Sequence, residues 1–200
     1  MNSESKYVKK IQSRSKLKFF LGVIARLKRF YKNKYIIYVA KKNGATIGEM
    51  VTMPLALAKL ANSNLKIGNH TSIQSSKLDL RAPVTIGSHV IIGSNVEILT
   101  CSHQVDSPEW EFKSYGITIE DFVWIATNSF ILPSCTRLEK GAVIGAGSVV
   151  SKNIGALDIV VGNPAVFLRK RKEVHYNLCV EELLGNDFKT YLKARKNITD

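Results

Sequence analysis

One histidine of this 200-residue chain stands where general-base chemistry could occur. His103 begins a stretch, 103–116, that lacks the repeating pattern of the sequence on either side. Imidazole exchanges a proton near neutral pH and is therefore suited to removing the proton of an attacking hydroxyl group. Acidic and aromatic side chains that suit a ligand rich in hydroxyl groups lie near it in sequence: Glu97, Asp106 and Trp110. We expect a general base at His103, with these three residues as candidates for binding the acceptor.

A metal site is not expected. His103 has no other histidine within ten residues, and the sequence contains no CxxC pair. Zinc sites are built from three or four His, Cys or acidic ligands, often closely spaced. The three cysteines are widely separated: Cys101, Cys135 and Cys179. The other histidines have no accompanying motif and are predicted to be surface residues: His70, His89 and His175.

The elements that must position His103 carry a six-residue repeat of aliphatic residues. The repeat runs through three segments: Ile86, Ile92 and Ile98; Ile119, Ile125 and Ile131; and Leu138, Ile144 and Val150. A spacing of six fits neither an α-helix nor an alternating strand. It predicts a β-solenoid in which each hexapeptide forms one short strand and one turn. A β-sandwich would place its turns roughly 8–12 residues apart.

Glycine often follows the aliphatic residue of the repeat. The pairs are Ile47-Gly48, Ile67-Gly68, Ile86-Gly87, Ile92-Gly93 and Ile144-Gly145. We expect glycine at these corners to allow an unusual backbone conformation.

The charge divides the chain into three zones. Residues 1–42 hold 13 of the 29 Lys and Arg residues but one of the 16 acids, which leaves 16 basic and 15 acidic residues in the remainder. Residues 43–163 are rich in Ile, Val, Gly, Ser and Thr, and residues 164–200 are charged again. We therefore predict a basic, helical N-terminal segment, a solenoid domain and a helical tail with these boundaries.

The basic N-terminal segment has two interpretations. Residues 6–34 mix Lys and Arg with apolar residues, and from residue 16 to residue 34 the pattern is typical of an amphipathic helix. Such a helix could lie on an anionic membrane surface, or it could pack on the solenoid with its lysines in solvent. Nucleic acid is not an expected partner, because no motif that stacks bases accompanies the charge. No apolar run approaches the ~18 residues of a membrane-spanning helix, and no signal peptide is evident.

Several motifs resemble a known family. The segments LTCSH (99–103), VWIA (123–126), GAGSVVSK (145–152) and GNPA (162–165) are similar to those of hexapeptide-repeat acetyltransferases, and most of all to the colanic-acid and maltose types of sugar O-acetyltransferase. The resemblance covers residues 43–173. Gln104 stands where the colanic-acid pattern usually has Asp. The resemblance implies a left-handed parallel β-helix, hence an all-β fold, with helical segments at both ends.

The family resemblance also implies the chemistry. It suggests transfer of an acetyl group from acetyl-CoA to a sugar hydroxyl, with His103 as general base and no metal, in a homotrimer whose active sites lie between subunits. Matching the motifs residue by residue assigns five positions to acetyl-CoA: Thr127, Ala146, Ser151, Lys152 and Arg169. The family often carries another Arg where this chain has Val166.

Alternatives to this function remain open from the sequence. Some proteins with this fold acetylate the amino group of a nucleotide-linked amino sugar, and a catalytically silent trimeric scaffold is the non-enzymatic alternative. The odd number of cysteines fits a reducing compartment, which favours a cytoplasmic protein that could be peripheral at the inner face of the membrane.

Overall fold

Most of the helical residues lie towards the two ends of the chain, and one short helix lies between the first two strands. The computed structural model describes residues 6–196; residues 1–5 and 197–200 of the predicted terminal segments lie outside it. The helices are α1 (Lys6–Gln12), α2 (Lys16–Lys42), α3 (Leu55–Leu60) and α4 (Phe188–Lys196), with a 3-10 turn at Val180–Leu184. None of the helices within residues 6–196 combines the length and the apolar character needed to cross a membrane.

Within residues 6–196, seventeen short strands form the body of the molecule. In chain order they are β1 (Thr46–Ile47), β2 (Leu65–Ile67), β3 (Ser72–Ile73), β4 (Lys77–Leu78), β5 (Val84–Ile86), β6 (Ile91–Ile92), β7 (Glu97–Ile98), β8 (Cys101–His103), β9 (Phe112–Ser114), β10 (Ile117–Ile119), β11 (Trp124–Ile125), β12 (Phe130–Ile131), β13 (Arg137–Leu138), β14 (Val143–Ile144), β15 (Val149–Val150), β16 (Asp158–Val161) and β17 (Val166–Lys170).

Three parallel sheets form the faces of a solenoid. Face A has the order β1-β2-β5-β10-β13, face B has β3-β6-β11-β14-β16 with β17 added antiparallel, and face C has β4-β7-β12-β15. The chain visits faces A, B and C in turn, and each strand pairs with the strand one coil away. The predicted β-solenoid with helical ends is therefore confirmed, but the tail predicted to be helical from residue 164 begins with strand β17, which pairs with the solenoid.

The repeated aliphatic residues fill the solenoid. Eight of the nine residues that carry the repeat are 0–1% exposed, and Ile86 is 2% exposed. Stacking places Ile92, Ile125 and Ile144 on top of one another through the register of face B. Burying each such side chain stabilises the fold by roughly 1.5–3 kcal/mol, so the six-residue spacing is set by the need to send one side chain per face inward.

Glycine is needed at the corners for a reason other than the one predicted. Gly87 and Gly93 have no left-handed backbone conformation. Instead, a Cβ atom on Gly93 would lie 2.7 Å from the backbone nitrogen of Thr127, and one on Gly87 would lie 2.7 Å from that of Asp121. The next coil passes too close for any side chain, so packing between coils excludes larger residues.

Helix α2 packs on the solenoid along one face. Ile36 and Ala40 are buried in the same core as the solenoid residues, and Asn33 Nδ2 donates to the Val51 carbonyl at 2.9 Å. Towards its N-terminus, α2 meets a second small core formed by α1 and α4. The buried residues of that core are Tyr7, Ile11, Tyr191 and Ala194.

The three histidines predicted to be surface residues are partly exposed, and their rings pack together. His70 and His89 stack with ring centroids 5.1 Å apart, and His89 stacks on Phe122 at 4.9 Å. His175 meets Phe122 edge-on, and its Nε2 contacts the His89 carbonyl at 2.7 Å. These rings form a column along one corner, because His70, His89 and Phe122 occupy the same turn position in successive coils.

This histidine column should make stability depend on pH. Burial is the main cause that lowers the pKa of His89 and His175 below the ordinary 6.5, and nearby charges on His70 and Arg171 act in the same direction. Asp121 and Glu181 oppose the shift at His89. The unfolded chain therefore binds these protons more readily than the folded chain, so stability is full above pH 6.5 and falls as pH decreases through the lowered pKa values.

Thermal unfolding between about pH 7 and about pH 5 would measure this effect. We expect the midpoint to fall with pH in the native protein and to fall less steeply in His89→Asn. Asparagine is the chosen replacement because residue 89 has a φ of 57°, a conformation that Asn tolerates better than most residues. An equal slope in both proteins would show that His89 does not contribute.

Candidate active site

A β-hairpin interrupts the solenoid between faces C and A and carries His103. Strands β8 and β9 pair antiparallel, with Cys101 opposite Ser114 and His103 opposite Phe112. Cys101 is buried at the root of the hairpin, whereas His103 is exposed. A hairpin anchored on a rigid solenoid holds an exposed side chain in a defined place, as functional loops commonly do.

The imidazole of His103 is oriented by Trp110. Its Nδ1 lies 2.8 Å from the Trp110 carbonyl oxygen, which can only accept a hydrogen bond. The hydrogen of the neutral ring is therefore on Nδ1, and Nε2 keeps its lone pair. The indole of Trp110 stacks on the imidazole, with centroids 5.1 Å apart and planes 15° from parallel. This arrangement presents Nε2 as a base.

An unusual backbone conformation aims the Trp110 carbonyl at the histidine. Trp110 has a φ of 52°, which is uncommon for a large side chain. The conformation is held by hydrogen bonds within the loop: Trp110 N donates to the Ser107 carbonyl at 3.1 Å, and Gln104 N donates to the Glu111 carbonyl at 2.8 Å. Local strain of this kind is typical of functional sites.

A charged pair on the preceding coil supports the hairpin. The Arg81 guanidinium donates to both carboxylate oxygens of Asp79, at 2.8 and 2.9 Å, and this is the main reason that the pKa of Asp79 falls to about 2. Arg81 also lies over the ring of Phe112, 5.6 Å from its centroid, and Phe112 meets His103 edge-on at 5.9 Å. The arginine thus supports the Phe112 side chain that borders His103.

Phe112 was not predicted from the sequence as a residue of the site. A signal for it exists, because a hairpin that closes between 103 and 112 would pair those two residues directly, and directly paired side chains lie in contact. That inference requires the hairpin to be recognised first, and its turn has none of the usual two-residue signatures.

The three predicted acceptor residues occupy different places. Trp110 contacts His103 with one ring face and is 57% exposed, so part of its surface is available to a ligand. Asp106 is exposed in the turn of the hairpin. Glu97 lies on β7, the strand that leads into the hairpin, and its carboxylate is 4.0 Å from Lys77 Nζ. Of these three residues, the structure brings only Trp110 into contact with His103.

Two of the five predicted acetyl-CoA residues share the corner that follows face B. Gly147 N donates to the Thr127 carbonyl at 3.0 Å, and the pairing of β11 with β14 places Thr127 and Ala146 side by side on neighbouring coils. Both side chains are exposed. Gly147 has a φ of 70°, and no atom would lie within 4 Å of a Cβ placed on it. This corner is therefore open to a ligand.

Ser151 and Lys152 lie at the same corner as the His103 hairpin. Leu99 N donates to the Ile131 carbonyl, and Leu132 N donates to the Val150 carbonyl, so Leu99 and Ser151 stand in register two coils apart. Coils are separated by about 4.8 Å, which puts Lys152 roughly 10 Å along the axis from the root of the hairpin. Lys152 is exposed.

Arg169 lies on face B, away from that corner. It pairs with Ile159, and Trp124, Val143 and Ile159 lie beside it in a row across face B. Its guanidinium donates to the Lys170 carbonyl at 3.1 Å. A single chain therefore does not gather all five predicted residues at one place. Within residues 6–196 there is also no group of three or more His, Cys, Asp or Glu arranged to hold a metal ion.

Comparison with known sequences identifies relatives. No family model matches the chain. It is 31% identical over 131 residues to an Escherichia coli K12 protein whose name assigns it to colanic acid biosynthesis as a presumed acetyltransferase; the match covers 65% of this chain and 71% of the relative. It is 30% identical over 163 residues to a galactoside O-acetyltransferase from Lactococcus lactis, covering 78% of this chain and 72% of the relative. A presumed acetyltransferase from Schizosaccharomyces pombe is 39% identical over 95 residues, and there the chain spans 44% of the relative.

A solved structure shares the fold. A hexapeptide-repeat-containing acetyltransferase from Vibrio cholerae, crystallised with acetyl-CoA, superimposes with a TM-score of 0.58 at 24% identity, covering 84% of this chain and 91% of that structure. At this identity the likeness shows the solenoid fold alone. The sequence matches, together with the solenoid and the hairpin that carries His103, show that this chain belongs to the hexapeptide-repeat acetyltransferase family.

Proposed function

We propose that this acetyltransferase moves the acetyl group of acetyl-CoA to a hydroxyl of a saccharide, with His103 as the general base. The observation that carries the proposal is the 2.8 Å contact between His103 Nδ1 and the Trp110 carbonyl, which leaves Nε2 free to accept a proton. The names of the Escherichia coli and Lactococcus lactis relatives support a saccharide acceptor.

The reaction balances with one base. Nε2 of His103 takes the proton of the acceptor hydroxyl as its oxygen attacks the thioester carbonyl. The new C–O bond forms, the C–S bond breaks, and the thiolate of CoA leaves with the proton returned from the imidazolium. General-base catalysis of this kind contributes ~10²–10⁴-fold, and positioning of the two substrates contributes the remainder.

The acceptor would lie beside the hairpin. The exposed part of the Trp110 indole offers an apolar surface to a sugar ring, and Asp106 and Glu97 offer carboxylates to its hydroxyl groups. Trp110 is the best supported of the three, because it already contacts the base.

Acetyl-CoA would be bound where two subunits meet. Lys152 shares a corner with the hairpin, whereas Arg169 lies on face B. A homotrimer that sets face B of one subunit against the hairpin corner of the next would bring both cations to the same CoA phosphates. Thr127, Ala146 and Ser151 would then border the pantetheine arm. The exposed Trp124, Phe167 and Leu168 supply apolar surface for this contact.

Calorimetric titration with acetyl-CoA tests the cofactor site. We expect about one molecule bound per subunit and roughly tenfold weaker binding by Lys152→Ala, because a hydrogen bond to a charged group contributes about that factor. Lys66→Ala is the matched control, since Lys66 is also exposed but lies on β2 of face A. Equal weakening by both variants would remove Lys152 from the site.

The chemical nature of the product distinguishes the two acetylation reactions. Incubation with oligosaccharides and with nucleotide-linked amino sugars should give an ester, which hydroxylamine cleaves, and not an amide, which resists it. A product that resists hydroxylamine would show that the acceptor is an amino group and not a hydroxyl group. Binding of acetyl-CoA without turnover on either class would favour a silent scaffold.

A further inference from the structure

Helix α2 exposes a continuous apolar stripe. Its residues recur at spacings of three and four, so they share one side of a helix that turns by about 100° per residue. All of them are exposed, most by more than half of their surface. The stripe consists of Leu17, Phe20, Leu21, Ile24, Leu27, Tyr31, Tyr35 and Tyr38. It extends over roughly 30 Å of helix.

The opposite side of α2 is fixed to the protein, so the stripe must face outwards. Phe19 stacks on Tyr191 with centroids 4.8 Å apart, and Arg26 Nε donates to a buried Asp187 carboxylate oxygen at 2.8 Å. Further along, Ile36 and Ala40 enter the main core. The stripe is therefore presented on a rigid support.

Lysines border the stripe on both sides. By helical position, Lys16 and Lys34 lie along one edge and Lys32 lies along the other, while Lys28 lies within the stripe, between Leu21 and Tyr35. All four are exposed, and no acidic residue occurs between residues 6 and 42. An apolar strip with cations at both edges, without acids, is complementary to a surface that is apolar inside and negatively charged outside.

A second copy of this chain would fit the stripe poorly. Two such helices placed face to face would bring their lysines together, and neither helix has an acid to neutralise them. The three tyrosines at the C-terminal end of the stripe have a polar hydroxyl beyond an apolar ring, which suits the boundary between lipid and water.

We propose that α2 docks this protein on an anionic phospholipid bilayer. The helix lies parallel to the surface, with the apolar stripe at the boundary between headgroups and acyl chains and the lysines among the lipid phosphates. This binding surface is separate from the site of acetyl transfer and does not depend on the identity of the acceptor.

Co-sedimentation with vesicles tests the proposal on the full chain. The protein should bind vesicles that contain phosphatidylglycerol, bind phosphatidylcholine vesicles much more weakly, and lose affinity as salt is added. Phe20→Ser combined with Ile24→Ser should weaken binding at least about tenfold, because burial of one large apolar side chain is worth about that factor. Lys28→Glu combined with Lys32→Glu should weaken it as well.

A charge-matched control separates the stripe from net charge. Lys59→Glu combined with Lys66→Glu changes the total charge equally but alters exposed residues outside α2, so vesicle binding should be largely retained. Circular dichroism and acetyl-CoA binding verify that each variant is folded. Unchanged vesicle binding by the Phe20 and Ile24 variant would overturn the proposal. A second result would also overturn it. If the native protein fails to bind vesicles and the Phe20 and Ile24 variant has a different oligomeric mass by light scattering, a second copy of the chain covers the stripe.

Discussion

Replacing His103 by alanine should lower kcat for acetyl transfer by ~10²–10⁴-fold while the Kd for acetyl-CoA stays the same. The Nδ1 atom of His103 is hydrogen-bonded to the Trp110 carbonyl, which leaves Nε2 to accept the proton of the acceptor hydroxyl. Steady-state kinetics with a saccharide acceptor and calorimetry with acetyl-CoA measure the two quantities. The residual rate would come from positioning of the substrates.

The pH profile gives this prediction a second readout. A general base must be unprotonated, so kcat/KM of the native enzyme should fall at acid pH, and His103→Ala should lose that dependence. His70→Ala is a suitable control, because His70 belongs to the histidine column, where it contacts Glu181 at 3.2 Å. Near-normal turnover by the His103 variant, or an equal loss in the His70 variant, would exclude His103 as the base.

The solenoid could be predicted because its determinants are local and periodic. Each coil places one side chain per face in the core, and this requirement produces a six-residue repeat in the sequence. Ile119, Ile125 and Ile131 follow the repeat without interruption. Corner glycines also follow the repeat, although the cause is the close approach of the next coil at Gly87 and Gly93. Periodicity reveals where a residue lies, but it does not reveal which force selects it.

The histidine column shows a signal that was present but not used. His70, His89 and Phe122 each lie three residues after an aliphatic residue of the repeat on face A, yet they are 19 and then 33 residues apart. The second interval is longer because the hairpin is inserted between the coils. Alignment of the chain by coil, rather than by residue number, would have placed the three rings in a stack.

The geometry of the candidate base could not be predicted in the same way. Residue type made His103 the candidate, but its orientation depends on a main-chain carbonyl and on a left-handed conformation at Trp110. Neither is encoded by a side-chain pattern, because a backbone acceptor is available at every residue. The positions of Lys152 and Arg169 on different parts of the surface likewise depend on how the coils are stacked.

Contacts between the two ends of the chain could not be predicted from the sequence either. Tyr7 donates a hydrogen bond to Asp187 at 2.6 Å across 180 residues of sequence, and Arg26 donates to the same carboxylate oxygen at 2.8 Å. The Asp187 side chain is fully buried, and burial is the largest cause that raises the pKa of Tyr7. One carboxylate thus joins α1, α2 and the segment that begins α4.

Asp187→Ala should therefore destabilise the joined ends by about 3–5 kcal/mol, the usual cost of leaving a buried partner of an ion pair without its counter-charge. The pair Asp158–Lys170 supplies the control, because its lysine is 63% and its carboxylate 21% exposed. Breaking this ion pair of 2.7 Å by Asp158→Ala should therefore cost much less, about 1 kcal/mol. Residue-resolved hydrogen exchange measures the destabilisation in both variants, because it reports the opening free energy of each helix and strand separately.

The loss should be confined to the helices. Amides of α1 and α4 should exchange much faster in the Asp187 variant, while those of β11 and β14 keep their protection, because the main core does not include Tyr7 or Tyr191. Acetyl-CoA binding should survive for the same reason. Uniform loss of protection through the solenoid would show that the two cores unfold as one unit, and the N-terminal half of α2 would then be held by the solenoid itself rather than by the contacts of Asp187.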